Sequence, residues 1–222
     1  MLETDWSDSW RRAFRIELRA EAIGFASRGW PVIPGSYPTD TNPTNSSPRT
    51  GTQWAGRPGA MSRWPAPIHD DWANRQGATP EQVAQWWSGH PYSLLVATGT
   101  AVDAVEVDAQ FGQRAAQALR ATGQPAPIVA TPTGRWLFLT ASGVSPEPVL
   151  LEQAGVTWHG VGSWVPLPPT PFEHGVVHWR VKPDTWGWQL PEAHVVHAAL
   201  LDAITDEAAH LASVQRLVAA EA

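Results

Sequence analysis

Two carboxylates near the end of one apolar stretch are the clearest candidates for chemistry in this sequence. Apolar residues at positions 102, 105 and 107 predict a buried strand, and Glu106 and Asp108 lie at its C-terminal end. Positions two apart on a strand point to the same face, so each carboxylate would raise the cost of ionising the other. Oxygen-rich pairs of this kind hold Mg²⁺ or Mn²⁺ for phosphoryl transfer. On spacing alone, a strand end whose acids face water is the favoured alternative.

A short polar turn carries a second candidate group. Thr133, Gly134 and Arg135 lie between strands predicted at 127–131 and 136–141. Backbone amides in such a turn can contact a phosphate, and an arginine adds a fixed positive charge. Most glycine-containing turns only reverse the chain, so a purely structural role stays open.

Other clusters of polar residues favour structural roles. His194 and His197 are three apart on a predicted helix, but no third metal ligand accompanies them. The His-Asp-Asp run at 69–71 has no second cluster at ligand spacing. Arginines at positions 11, 15 and 19 form a stripe on a predicted helix, where pairing with nearby glutamates is favoured over phosphate contact.

The composition restricts the classes of protein that fit. The 222 residues include 43% hydrophobic residues, 14 Trp, 21 Pro and no Cys, which allows a sizeable core and excludes disulfides and thiolate zinc sites. A formal charge of −6 disfavours a free-standing nucleic-acid binder, although a local basic groove stays open. There is no apolar run of membrane-spanning length and no signal-peptide pattern at the N-terminus, so we expect a cytoplasmic protein without a membrane partner.

The order of predicted elements indicates an α+β fold with a mainly antiparallel or mixed sheet. A helix at 9–28 and a short strand at 30–34 precede a Pro-, Gly- and Ser-rich loop at 35–77. The further predictions are a helix capped by Thr79, strands at 93–98 and 102–108, a helix at 110–122, the two strands around the polar turn, a helix near 146–154, a hairpin at 156–160 and 163–167, a strand at 176–181, a helix from Pro191, and a last helix to about 219 capped by Thr205.

Six short motifs then occur in a specific order. They are GWPVIP (29–34), TPEQVAQWW (79–87), VATG (96–99), VEVD (105–108), TPTG (131–134) and GVGSWVPLPP (160–169). Each motif alone is weak, but together they resemble the N-terminal domain of bifunctional DNA primase/polymerases. This is the prim–pol branch of the archaeo-eukaryotic primase superfamily, and the resemblance covers roughly residues 15–180.

The resemblance implies a fold and an activity. It implies an RRM-like catalytic sheet with an N-terminal αβ module, in a domain at 9–190 that contains the 35–77 loop as an insertion, with C-terminal helices at 191–220 packed on it. The implied chemistry is metal-dependent nucleotidyl transfer from dNTPs or NTPs. The implied partners are nucleotides, single-stranded DNA, and a protein such as a helicase or replication protein.

The same resemblance assigns roles to residues. Glu106 and Asp108 match the family's catalytic, metal-binding acidic pair. The run from Thr133 to Trp136 matches its phosphate-binding Ser-Gly-Gly-x-His stretch, except that one glycine is missing and Trp136 stands in place of the histidine. Thr131, Thr133, Gly134 and Arg135 are accordingly assigned to nucleotide binding. Thr157 or Trp158 occupies the place of a third metal-binding carboxylate.

These departures leave several hypotheses. His159, next to the missing third carboxylate, is assigned to nucleotide binding as a partial substitute. Two acids can retain one Mg²⁺ or Mn²⁺ with help from substrate phosphates, whereas a second ion is harder to position. The domain is therefore a working or weakened nucleotidyltransferase, or a catalytically inactive relative that binds nucleotide, nucleic acid or a protein. A Trp-rich interaction domain that keeps only the fold is the third alternative.

Overall fold

Two antiparallel sheets position the predicted site. The structure is a computed structural model that describes residues 3–38, 54–56 and 64–205. The described elements, in chain order, are α1 (Glu3–Ala26), β1 (Val32–Gly35), β2 (Tyr37–Pro38), β3 (Trp54–Ala55), a first 3₁₀ helix (Trp72–Arg75), α2 (Pro80–Trp86), β4 (Ser93–Ala97), β5 (Val102–Asp108), α3 (Ala109–Thr122), β6 (Ile128–Ala130), β7 (Arg135–Ala141), α4 (Pro148–Leu151), β8 (Thr157–His159), β9 (Trp164–Pro166), β10 (Pro171–Phe172), β11 (Gly175–Val176), β12 (His178–Val181), a second 3₁₀ helix (Pro183–Trp186) and α5 (193–205, where the description ends).

The larger sheet has five strands in the order β12-β6-β7-β5-β8, and the smaller has three in the order β1-β4-β9. Every pairing in both sheets is antiparallel. The predicted α+β class with antiparallel pairing is therefore confirmed. None of the helices in the described ranges is long and apolar enough to cross a membrane.

Strand β5 lies between two hydrophobic cores because its side chains alternate between the two faces of the sheet. Val102 and Ala104 face a core shared with α1 and the smaller sheet. Val105 and Val107 face a second core formed with α3 and α5. A strand covered on both faces buries even its polar residues, and Glu106 is accordingly only 8% exposed.

Local sequence signals fix the start of α2 and the end of α3. Thr79 caps α2 in a capping box: its hydroxyl accepts from Gln82 N, and the Gln82 amide oxygen accepts from Thr79 N at 2.9 Å. This cap was predicted from the sequence and is confirmed. Helix α3 ends at Gly123, whose φ of 68° lies in the left-handed region that favours glycine.

The predicted hairpin at 156–160 and 163–167 is wrong. Strand β8 pairs with β5 in the larger sheet, whereas β9 pairs with β4 in the smaller one. The turn between them carries the chain from one sheet to the other, and it is fixed by Thr98, whose hydroxyl donates to the Gly160 carbonyl at 2.6 Å. The predicted strand at 176–181 is also divided, because β11 and β12 are separated by the buried Val177.

Other boundaries differ from prediction at chain ends and loops. Helix α1 begins at Glu3 rather than at residue 9, and α4 spans only Pro148–Leu151. Thr205 lies within α5 and donates to the Leu201 carbonyl at 3.1 Å, so its predicted role as a cap is wrong. The rest of the predicted last helix lies outside the described residues, as do 39–53 and 57–63 of the predicted loop. Its described parts include β2, β3 and the first 3₁₀ helix.

Candidate functional site

Glu106 lies at the centre of a buried ionic cluster on the larger sheet. Its neighbours come from the strands on both sides of β5. Arg135 Nε donates to Glu106 Oε1 at 2.6 Å, and His159 Nε2 lies 2.8 Å from Oε2. The side chains of Glu106, His159 and Arg135 are 10%, 15% and 22% exposed, so the cluster is largely withdrawn from water. Both carboxylate oxygens therefore have a cationic or imidazole partner within the protein.

The two partners of Glu106 are themselves held in place. His159 Nδ1 lies 3.0 Å from the Ser163 hydroxyl, in the turn that follows β8. A carboxylate can only accept, so His159 Nε2 carries the proton and, in the neutral ring, Nδ1 accepts from Ser163. Arg135 Nη2 donates to the Gly155 carbonyl just before β8. The cluster thus connects β7, β5 and β8.

The pKa of the Glu106 carboxyl reflects opposing influences. Burial raises it, but hydrogen bonds and charge from His159 and Arg135 outweigh burial and hold the pKa below its ordinary value. Glu106 is therefore ionised at neutral pH. Its negative charge is compensated within the protein.

Asp108 has a different role from Glu106. It is exposed, and its Oδ1 accepts from Phe111 N at 2.9 Å, which makes it the N-cap of α3. In the strand register it lies opposite Arg135. Asp108 and Glu106 are on the same face of β5, as the sequence predicted, but each is engaged by a different part of the protein.

The polar turn before β7 packs beside the start of α3. Thr131 is buried, and its hydroxyl lies 2.8 Å from that of Thr133. Gly134 has a φ of 76°, and its carbonyl accepts from Ala109 N at 2.9 Å. The structure therefore brings Thr131, Thr133, Gly134 and Arg135 to the same end of the sheet as Asp108.

A comparison with models of known protein families identifies the family of this chain. The family model for the N-terminal domain of bifunctional DNA primase/polymerases (Prim-Pol) matches residues 22–193. The chain belongs to the prim–pol family. No curated protein sequence compared with the chain matches it.

The strand register identifies which residue of this prim–pol domain faces the acidic pair. The sequence comparison placed Trp136 in the position of the family's histidine. In the structure Trp136 lies opposite Val107 and packs with the second core, on the face away from Glu106. Arg135, one residue earlier, is on the Glu106 face. Arg135, and not Trp136, is therefore the residue of this turn whose side chain reaches Glu106.

The opposite face accommodates Trp136 by specific packing. A Cβ on Gly112 of α3 would lie 2.8 Å from the Trp136 ring, so only glycine allows this close approach. Arg180 of β12 lies over the same ring, 5.0 Å from its centroid. Neither Gly112 nor Arg180 was singled out from the sequence.

The residues of this prim–pol domain do not fit a two-metal site. Thr157 faces Glu106 in the register where a third carboxylate would be expected, and Trp158 is paired with Val105 on the other face. Within the described ranges, no group of three or more His, Cys, Asp or Glu side chains could hold a metal ion. A metal ion at Glu106 would also have to compete with the hydrogen bonds that Arg135 and His159 already make to its two oxygens.

The other polar clusters named from the sequence make contacts of their own outside the Glu106 cluster. Asp71 pairs with Arg75 at 2.9 Å, and His194 Nδ1 lies 3.2 Å from Glu192. His197 is buried, and burial lowers its pKa. Sequence reasoning missed Ser163 as the partner of His159, and the only signal for it was the four-residue spacing across a glycine-rich turn.

Proposed function

We propose that this chain is a prim–pol domain that binds nucleotides or single-stranded DNA through an RRM-like sheet and does not carry out two-metal nucleotidyl transfer. One observation carries the proposal: both oxygens of Glu106 are engaged by Arg135 and His159. Nucleotidyl transfer in this family needs those oxygens for metal ions. A helicase or replication protein as partner belongs to the same proposal.

Energetics support this assignment. Removing one member of a buried ion pair typically costs about 3–5 kcal/mol, because the other charge is left without compensation. A cation bound at Glu106 would compete with Arg135 for the carboxylate and would bring a second positive charge close to the guanidinium. Asp108 would contribute only part of its carboxylate to a metal ion, because its Oδ1 accepts the N-cap hydrogen bond of α3.

The groups that remain for ligand binding suit a phosphate. Arg135 is partly exposed, and the Thr131–Gly134 turn places hydroxyl groups beside it. Guanidinium groups are common phosphate ligands, whereas the amides of Thr131, Gly134 and Arg135 already donate within the turn. A phosphate of a nucleotide or of single-stranded DNA is therefore the ligand that this end of the sheet fits best.

A weakened nucleotidyltransferase that uses one Mg²⁺ or Mn²⁺ at Glu106 and Asp108 is the second candidate. The observation in its favour is that both carboxylates share one face of β5 and that Asp108 is exposed. In that case Arg135 must leave Glu106 when nucleotide binds.

Primer synthesis on single-stranded DNA separates the two candidates. Primer synthesis by the wild type and by the double variant Glu106→Gln/Asp108→Asn is measured with Mg²⁺ and with Mn²⁺. Binding of dGTP and of an oligonucleotide to the wild type and to Arg135→Ala is measured by fluorescence. We expect no primer product, and we expect the wild type to bind more tightly than Arg135→Ala. Product made by the wild type and lost in the double variant would establish the second candidate instead.

A further inference from the structure

We infer that Arg135, as a built-in counter-ion, and His159, as a hydrogen-bond donor, together satisfy Glu106, so that this end of β5 has no specific affinity for Mg²⁺ or Mn²⁺ and holds a phosphate ligand without them. The first half of the inference concerns the protein alone. The second half rests on the proposed nucleotide-binding function.

The charges in the cluster support the inference that side chains take the place of a metal ion at Glu106. A metal ion in an acidic site removes the repulsion between carboxylates and satisfies their oxygens. Here Arg135 supplies a permanent positive charge to one oxygen of Glu106, and His159 supplies a donor to the other. Both requirements are met by side chains.

Hydrogen bonds hold Arg135 and His159 in fixed orientations beside Glu106. Arg135 is anchored at two points, by Nε on Glu106 and by Nη2 on the Gly155 carbonyl. His159 is anchored at both ring nitrogens, by Glu106 and by Ser163. Each partner therefore has a fixed orientation before any ligand arrives, and a cation would have to compete with an assembled network.

The same register shows how a cation site could be restored. Thr157 is exposed and lies directly opposite Glu106 on the neighbouring strand. Side chains directly opposite on antiparallel strands have Cβ atoms about 4.5–5.5 Å apart. The double variant Arg135→Ser/Thr157→Asp would remove the competing guanidinium and add a carboxylate beside Glu106.

Mn²⁺ titration followed by electron paramagnetic resonance, without nucleotide, tests the first half. The proteins are the wild type, Glu106→Gln, the double variant Arg135→Ser/Thr157→Asp, and the control Arg180→Ser/Gln117→Asp, which makes the same change in charge away from Glu106. We expect wild type, Glu106→Gln and control to bind Mn²⁺ equally weakly. The double variant should bind it at least about tenfold more tightly, a difference of about 1.4 kcal/mol.

Two results would overturn the first half. One is saturable Mn²⁺ binding by the wild type that Glu106→Gln abolishes, an outcome that does not depend on how the double variant folds. The other is a double variant that melts cooperatively yet binds Mn²⁺ no more tightly than the control.

Binding of dGTP in EDTA and in Mg²⁺ tests the second half. Equal affinity in both buffers supports metal-independent binding, and affinity that requires both Mg²⁺ and Glu106 contradicts it. If dGTP and the oligonucleotide fail to bind in either buffer, the proposed function fails, while the Mn²⁺ result still decides whether Arg135 and His159 replace the metal.

Discussion

At the scale of single residues, Glu106 is the residue on which the most interactions of the site depend. It compensates Arg135 and fixes one nitrogen of His159, and its own side chain is 90% removed from solvent relative to full exposure. We expect Glu106→Ala to lower the free energy of unfolding by about 3 kcal/mol, because the partly buried guanidinium of Arg135 loses its carboxylate partner. Urea denaturation measures the change. The exposed Glu152→Ala is the control, for which a change within about 0.5 kcal/mol is expected.

The lowered pKa of Glu106 predicts a specific dependence of stability on pH. A carboxyl whose folded pKa lies below its unfolded value stabilises the protein fully above the unfolded value, about 4.3–4.5, and loses that contribution as the pH falls through the folded value. The difference in unfolding free energy between wild type and Glu106→Gln should therefore have its full size at pH 7 and shrink below about pH 4.5. A difference that stays the same down to pH 3 would contradict the assignment.

At the scale of secondary-structure elements, the contact between α3 and β7 depends on Gly112. Replacing glycine by alanine within a helix normally stabilises it by about 0.5–1 kcal/mol. Gly112→Ala should instead destabilise the protein by about 1–3 kcal/mol, because the new methyl group would overlap the Trp136 ring. Gly24→Ala in α1 is the matched control, where the nearest atom lies at an ordinary 3.5 Å and the normal stabilisation is expected. Thermal unfolding of both variants measures whether each substitution raises or lowers stability. A stabilised Gly112→Ala would show that the Trp136 ring moves to make room for the methyl group.

The elements predicted well were those specified by local sequence. The Thr79 cap and the placement of Glu106 and Asp108 on one face follow from spacing within a few residues, and both are found in the structure. Which strands pair depends on contacts distant in sequence, and for that reason the hairpin was predicted wrongly. The sequence named Arg135 as a site residue, but which of Arg135 and Trp136 faces Glu106 depends on the register of β7 against β5, which contacts distant in sequence determine.

At the scale of the whole molecule, both sheets contribute to one core. Val96 of the smaller sheet and Leu137 of the larger sheet belong to the same buried cluster. Thr170 is fully buried and joins the segment after β9 to β4 by two hydrogen bonds. Its hydroxyl donates to the Leu94 carbonyl and accepts from Leu94 N. The sheets should therefore unfold together.

Thr170→Val tests this cooperativity. It removes both bonds and leaves the Leu94 amide group without that partner, which we expect to cost about 1–3 kcal/mol. Tryptophan fluorescence and far-ultraviolet circular dichroism should shift by the same amount and stay coincident. Thr100→Val, at an exposed position, should leave both transitions near the wild-type midpoint. Transitions that separate in the Thr170 variant would mean that the sheets unfold independently.

The bond from Arg135 to the Gly155 carbonyl has a consequence for the motion of an edge strand. Strand β8 is at the edge of the larger sheet and pairs with β5 over three residues, so Arg135 restrains the segment that enters it. A phosphate that recruits Arg135 would release this restraint. Binding of dGTP should then accelerate amide hydrogen exchange at 157–159, whereas ligands usually slow exchange near their sites. Slower exchange there would indicate that Arg135 keeps its bond to Gly155 when the ligand binds.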